Sequence, residues 1–172
     1  MNEDLTDQGR ERRRLLALER LEVVDTPPEA EFDALARAAA LVCGTPISLL
    51  SLIEADRQWF KANVGLEGLQ ETERSLSFCT HAIEGDGMLE VNDATQDSRF
   101  AHNPFVEDAP NIRFYAGVPL KLSGGENVGS LCVIDHHARS LSDKQREILH
   151  LLADAAAKAL EVRRAALHES EL

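Results

Sequence analysis

The chain has 172 residues, of which 44% are hydrophobic and 28% charged. That is enough apolar material for one packed domain of ordinary size, and it excludes a wholly disordered chain. Thirty Asp and Glu against eighteen Lys and Arg give a formal net charge of −12, a field that repels phosphate backbones and anionic lipid and argues against nucleic acid or a membrane surface as partner.

Three cysteines, Cys43, Cys79 and Cys132, are an odd number spread widely along the sequence, which does not suit a secreted disulfide framework. The N-terminus has no basic cap followed by an apolar run, and the most apolar stretch, Leu35 to Ile53, is broken by Arg37, Gly44 and Pro46. A cytoplasmic chain with no membrane span is expected.

Residues 1–9 read as a flexible tail. From Arg10 to Val24, charges surround Leu15, Leu16, Leu18 and Leu21 in an amphipathic pattern that predicts a first helix. Asp25-Thr26-Pro27-Pro28 stops it, and Thr26 with Glu29 three residues on predicts a capping box opening a second helix. Phe32, Leu35, Ala36, Ala39, Ala40 and Cys43 form its core face, and Gly44 ends it.

The apolar period then changes. Ile47–Ile53 is apolar on both sides of the pleat, as in a central strand covered on both faces. Glu54-Ala55-Asp56-Arg57 is a turn, and Gln58–Val64 returns as the second strand of a hairpin. Gly65 to Arg74 reads as polar loop, Ser77 to Ile83 as a short helix, Met88 to Val91 as a short strand, and Asp93 to Pro110 as a long punctuated segment. Arg113–Leu122 and Val128–Ile134 form a second hairpin around Ser123-Gly124-Gly125-Glu126-Asn127, although Pro119 in its first strand demands a bulge or an unpaired N–H. Ser142-Asp143-Lys144-Gln145 is a further capping box, opening a helix that runs to about Ala166.

This order, helices, antiparallel strands, helix, is α+β. The last helix carries two apolar rows: Ile148, Leu152, Ala155, Ala159, Val162 and Ala166, and beside it Leu149, Ala153, Ala156 and Leu160. One row can seal the sheet and leave the other for a second copy. A homodimeric bundle is expected through Leu15, Leu18, Ile148, Leu152, Ala155, Ala159 and Val162, with packing of both rows inside a monomer as the alternative.

The sequence contains no phosphate-binding loop, dinucleotide fingerprint, zinc-protease motif, nucleophile elbow or Cys-x-x-Cys pair. Cys79 and His81 lie two residues apart, which on a helix points them about 200° apart, so a thiolate–imidazolium pair would need another geometry. His81 as a metal or haem ligand lacks a companion set, with only His102, Asp93 and Asp97 nearby. Asp93 to Phe100 predicts a rigid loop closed by an Asp–Arg contact, and His102-Asn103-Pro104-Phe105 continues the same wall. Arg113 and Tyr115 share a pleat face, and Ala116-Gly117 leave room above the sheet; that face is expected to line a cavity.

Several segments together resemble the GAF domains of bacterial signalling proteins. They are Asp25-Thr26-Pro27-Pro28, Asp56-Arg57-Gln58-Trp59-Phe60-Lys61, Ser77 to Ile83, Asp93-Ala94-Thr95 with Asp97 and Arg99-Phe100, Phe114-Tyr115-Ala116-Gly117, and Gly129 to Asp135. The resemblance implies a PAS-like sheet of five or six antiparallel strands, terminal helices bundled on one face and a loop-covered small-molecule pocket on the other, all within residues 10–166, with a C-terminal tail at 167–172. It implies ligand contacts from Phe78, Cys79, His81, Asp93, Arg99, Phe100, Asn103, Arg113 and Tyr115.

The residue set of cyclic-nucleotide-binding members is absent. Cys79 with His81 lacks the pattern around a bilin attachment site, and Cys79 with Cys132 does not reproduce the cysteines of the methionine sulfoxide reductases of this fold. No haem, bilin, metal or cyclic nucleotide is therefore supported, and the ligand's identity stays open. The expected function is a non-catalytic, homodimeric sensing or regulatory domain of bacterial signal transduction. Its output protein is reached in trans or belongs to a longer chain. The alternative is a thiol-based redox enzyme or sensor using Cys79 with Cys132.

Overall fold

Residues 6–170 are described by a computed structural model. Their first helix, α1 (Asp7–Arg20), begins inside the expected tail because the Thr6 hydroxyl accepts from the Gly9 N–H at 2.9 Å and caps it. After α2 (Ala30–Cys43) come β1 (Ile47–Ile53), β2 (Arg57–Val64) and β3 (Glu71–Glu73), then α3 (Phe78–Ala82), β4 (Leu89–Val91), α4 (Pro104–Glu107), β5 (Phe114–Lys121), β6 (Asn127–Asp135) and α5 (Asp143–Ser170). All six strands join one antiparallel sheet in the order β3-β2-β1-β6-β5-β4. The short β3 and α4 lie in segments that read as loop, and α5 continues past Ala166 into the expected C-terminal tail.

Every residue of β1 is buried, which the unbroken apolar run predicts for a strand covered on both faces. Leu50 and Leu52 join Leu131 and Val133 of β6 in a core under α1, α2 and α5. Ile47, Leu49 and Ile53 join Cys132 and Ile134 in a second core under α3, α4 and the long loops. On α5, Leu149, Ala153, Ala156 and Leu160 are fully buried against the sheet, and these small side chains allow the helix close. In the other row Ala155 and Val162 are exposed and Ile148 and Leu152 half-buried. Leu18 and Ala159, expected at a dimer interface, instead belong to the protomer's own core at 3% and 8% exposure, while Leu15 is half-buried.

The expected capping box at Thr26 does not form. Glu29 occupies the N-cap of α2 without a side-chain cap bond, because both side chains are taken by a lysine from the sheet. Between Leu50↔Ala62 and Ser51↔Phe60 the β1–β2 register skips Lys61, a bulge that re-aims this residue. The Lys61 side chain is wholly buried, and its ammonium donates to Thr26 Oγ1 at 2.8 Å, to the Pro27 carbonyl at 2.7 Å and to Glu29. Glu29 also accepts from Arg163 Nε of α5 at 2.7 Å. The helix bundle and β2 are thus joined by one charge chain.

The other sequence signals fold as read. Gly44 takes the left-handed conformation (φ 65°) that ends α2. Ser142 and Gln145 exchange the two bonds of a capping box, 2.8 and 3.1 Å. Pro119 is tolerated because β4 ends opposite Gly117, leaving β5 a partner on one side only, and the β5–β6 register shifts just after it.

Glu11 locks α1 onto the sheet edge. It accepts from Arg14 Nε and Nη2 at 2.9 and 2.8 Å and from Arg74 Nη1 at 2.6 Å, while buried Arg14 also donates to the Ile53 carbonyl at 2.6 Å. The Arg14 hydrogen bond, outweighing burial and reinforced by Arg74, lowers the Glu11 carboxyl from 4.5 to about 2. A carboxyl depressed in the folded state stabilises above its unfolded value and loses that contribution as the pH falls toward its folded one. Denaturant titrations should therefore show stability falling between pH 4.5 and about 2, with Glu11→Gln removing about 1 kcal/mol of this acid dependence after allowance for solvent screening.

Candidate functional site

Opposite the helices, the sheet carries a cleft of about 60 Å³. Its floor is Leu49, Phe60, Tyr115, Cys132 and Ile134 from four strands, and its walls are Leu66, Leu69, Leu76, Phe78, Cys79, Phe105, Pro110 and Ile112. Gln58, Thr72 and Ser77 add polar groups, and among the described residues no charged side chain lines it. Such a surface suits a small uncharged guest held mainly by apolar contact.

Local hydrogen bonds hold the walls in place. Asn63 Nδ2 donates to the Leu66 and Leu69 carbonyls at 2.6 and 2.7 Å while its Oδ1 accepts from the Leu66 N–H at 3.0 Å, folding the β2–β3 connection over the cleft. Asn103 caps α4 by accepting from the Phe105 N–H at 2.9 Å and donates to the Leu76 carbonyl at 3.0 Å. Ser77 caps α3, so Phe78 and Cys79 point inward; Phe78 stacks on Phe100 with ring centroids 4.0 Å apart.

Under the cleft lies a polar cluster. The room predicted above Ala116-Gly117 is filled by the protein itself: Tyr115 lies along the sheet, and a Cβ on Gly117 would meet its hydroxyl at 2.2 Å and Ser130 Oγ at 2.7 Å. The Tyr115 hydroxyl donates to Cys79 Sγ at 3.0 Å and lies 3.4 Å from Ser130 Oγ. Cys79 and Cys132 bring their sulfurs to 3.9 Å, both free thiols. Ser51 Oγ is buried without a formed hydrogen bond. Burial raises the Cys79 thiol, yet hydrogen bonding from Cys132, Tyr115 and Ser130 outweighs it and lowers this thiol to about 7. Burial drives Cys132 and Tyr115 well above their ordinary ranges.

Of the nine residues expected at the ligand, Phe78, Cys79 and Tyr115 line the cleft. The structure does not bring the other six into it. Phe100 is buried one layer behind, between Phe78 and the edge of His81, whose ring centroid is 5.0 Å away. His81 packs edge-on against Phe100 and does not line the cleft. Asp93 caps the turn before Thr95. Arg99 closes its loop on Asp97 at 3.0 and 2.7 Å, the contact expected there. Asn103 braces the walls, and Arg113 donates to the Val106 and Ile112 carbonyls at 2.8 and 3.1 Å.

The cleft residues that sequence reasoning missed are chiefly Leu66, Leu69, Leu76 and Ile112. Their signal was the presence of isolated aliphatics in otherwise polar loops.

A family model for the GAF domain matches residues 27–160. The chain belongs to the GAF domain family. A curated relative, the cyclic di-GMP phosphodiesterase PA2567 of Pseudomonas aeruginosa, is 45% identical over 122 residues, which are 71% of this chain and 21% of that protein. This GAF domain thus spans about a fifth of the relative's length. Among solved structures, the GAF domain of an Acinetobacter phosphoenolpyruvate-protein phosphotransferase superposes with a TM-score of 0.64 at 16% identity, covering 96% of this chain and 97% of that one. A type II free methionine-R-sulfoxide reductase from Thermoplasma acidophilum gives 0.63 at 15% identity, covering 76% and 90%. At these identities the likeness is one of fold.

Because Gly117 is the space that the Tyr115 ring occupies, Gly117→Ala should cost about 1–3 kcal/mol of unfolding free energy in urea. Gly87→Ala, on an open surface site, should be near neutral and serves as the control.

Proposed function

We propose that this GAF domain senses a small, uncharged, largely apolar molecule in the cleft and relays its occupancy to α5, carrying out no turnover reaction of its own. The observation that carries this reading is the lining: aliphatic and aromatic walls, a few hydrogen-bonding groups and no charge. The relative that matches this chain is named a cyclic di-GMP phosphodiesterase, and an output module of that class, fused to this domain or bound by it, is the one we assign.

A route from cleft to output helix supports the reading. β2 places Gln58 and Phe60 at the cleft and the neighbouring Lys61 on the opposite face, where it holds Glu29, which holds Arg163 of α5. A guest biases α5 only as far as it binds one arrangement of β2 more tightly than another.

The same helix supplies the expected dimer contact. Leu151, Ala155 and Val162 are exposed along α5, Leu151 at 60% and Val162 at 57%. Spaced four and seven residues apart, they share one helix face. We assign this seam to a second copy of the chain, with Leu151 added to the expected set and Leu18 and Ala159 removed from it.

Native mass spectrometry of protein purified from its source should find a bound small molecule. With ethanol, matched to the hollow of about 60 Å³, as a stand-in, NMR shifts should concentrate at Phe78, Ile112 and Tyr115, and Leu69→Arg, which puts a charge at the cleft wall, should abolish them. Shifts spread over the surface, unchanged by Leu69→Arg, would refute the sensing reading. Light scattering at micromolar concentration should give a dimer mass. Ala155→Glu should convert it to a monomer with an unchanged circular dichroism spectrum, and a monomer without the substitution removes the dimer.

A further inference from the structure

The sensing reading makes no use of the two thiols beneath the cleft. A buried cysteine is ordinarily a small inert apolar group, and Cys43, fully buried in the helix-side core, fits that description. Cys79 and Cys132 differ in three respects. Their sulfurs are in contact at 3.9 Å although the residues lie 53 apart in sequence, one on α3 and one on β6. Hydroxyl groups gather at one of them: Tyr115 donates to Cys79, and Ser130 stands beside that tyrosine. Both residues also line the cleft, so a small reagent seated there lies next to them although each is almost wholly buried.

We infer that Cys79 and Cys132 form a dithiol switch that hydrogen peroxide closes into an intramolecular disulfide. Cys79 acts first: its sulfur attacks one peroxide oxygen, the O–O bond breaks, and the departing oxygen leaves as water with the thiol proton, giving a sulfenic acid. The Cys132 sulfur then attacks that of Cys79, a second water leaves with the Cys132 proton, and the S–S bond forms. Two thiols and one hydrogen peroxide become one disulfide and two waters. The order follows from the surroundings, since the Tyr115 hydroxyl donates to Cys79 at 3.0 Å and stabilises a thiolate there, while burial outweighs the hydrogen bonds from the Leu49 backbone and Tyr115 at Cys132 and holds that thiol up. The low-lying Cys79 thiol agrees with this order. Closure draws the sulfurs from 3.9 Å to about 2 Å, with the open cleft beside them giving α3 room to shift. The result is a covalent tie between α3 and β6. The switch stands independently of any guest in the cleft.

The test uses the reduced full chain treated with a small excess of hydrogen peroxide, quenched by an alkylating reagent under denaturing conditions and mapped by peptide mass spectrometry. The expected product is a Cys79–Cys132 crosslink two hydrogens lighter, with Cys43 alkylated as a thiol. Its rate should rise with pH through about 7, where Cys79 ionises, and fall severalfold in Tyr115→Phe. In Cys132→Ala, dimedone should capture a sulfenic acid at Cys79. Cys79 and Cys132 both remaining alkylatable while free cysteine in the same tube is consumed overturns the proposal, as does oxidation of Cys79 to a sulfinic acid without a crosslink. Should Cys132→Ala fail to fold, the map of the unsubstituted protein decides alone.

Discussion

A sheet covered on both faces is the constraint from which the rest of this fold follows. β1 and β6 sit at its centre with essentially every side chain buried, so each residue there commits to one of two separate cores. The helix-side core is filled by Leu18 of α1, Phe32 and alanines of α2, and leucines and alanines of α5. The other is roofed by short elements and loops too irregular to interdigitate fully, and the remaining gap is the cleft. Polar groups that reach this second core must find one another, which brings Tyr115, Ser130, Cys79 and Cys132 into a single cluster.

Lys61 crosses between these layers. Its backbone belongs to the strand that forms part of the cleft floor, while its ammonium is spent on the α1–α2 connection and, through Glu29, on α5. A fully buried ammonium persists only where acceptors surround it, so the bulge that aims Lys61, the extended Thr26-Pro27-Pro28 segment and the placement of Glu29 are one arrangement. It also explains why the apparent capping box at Thr26 and Glu29 stays open: both side chains are worth more to a buried cation than to a solvent-exposed helix end.

Regular elements were legible in the sequence wherever periodicity or end chemistry was strong. The doubly apolar run of β1, the glycine that ends α2, the Ser142 box and the Gly124-Gly125 hairpin all fold as read. The family resemblance was legible too, carried by segments that turn out to be largely architectural. For the same reason the site was read only in part. Asp93, Arg99, Asn103 and Arg113 carry conspicuous chemistry, yet in space they satisfy backbone and loop partners, because a long connection needs its polar groups paired before it can wall anything. Which aliphatics of Gly65 to Leu76 turn inward depends on the Asn63 contacts, a tertiary arrangement that spacing does not encode. Tyr115 lines the cleft, but the room expected over Gly117 is a berth for its ring, an outcome that hinges on one side-chain torsion.

The division of labour in the roof has a further consequence. The charged and amide groups that brace it, Asp93, Asp97, Arg99, Asn103 and Arg113, do not touch the hollow, and its apolar lining, Leu66, Leu69, Phe105 and Ile112, supplies no side-chain hydrogen bond. Frame and upholstery are therefore separable. Exchanging a few aliphatic side chains would reshape the hollow while the carpentry above it stands, so cavities of differing form can be built on one unchanged scaffold.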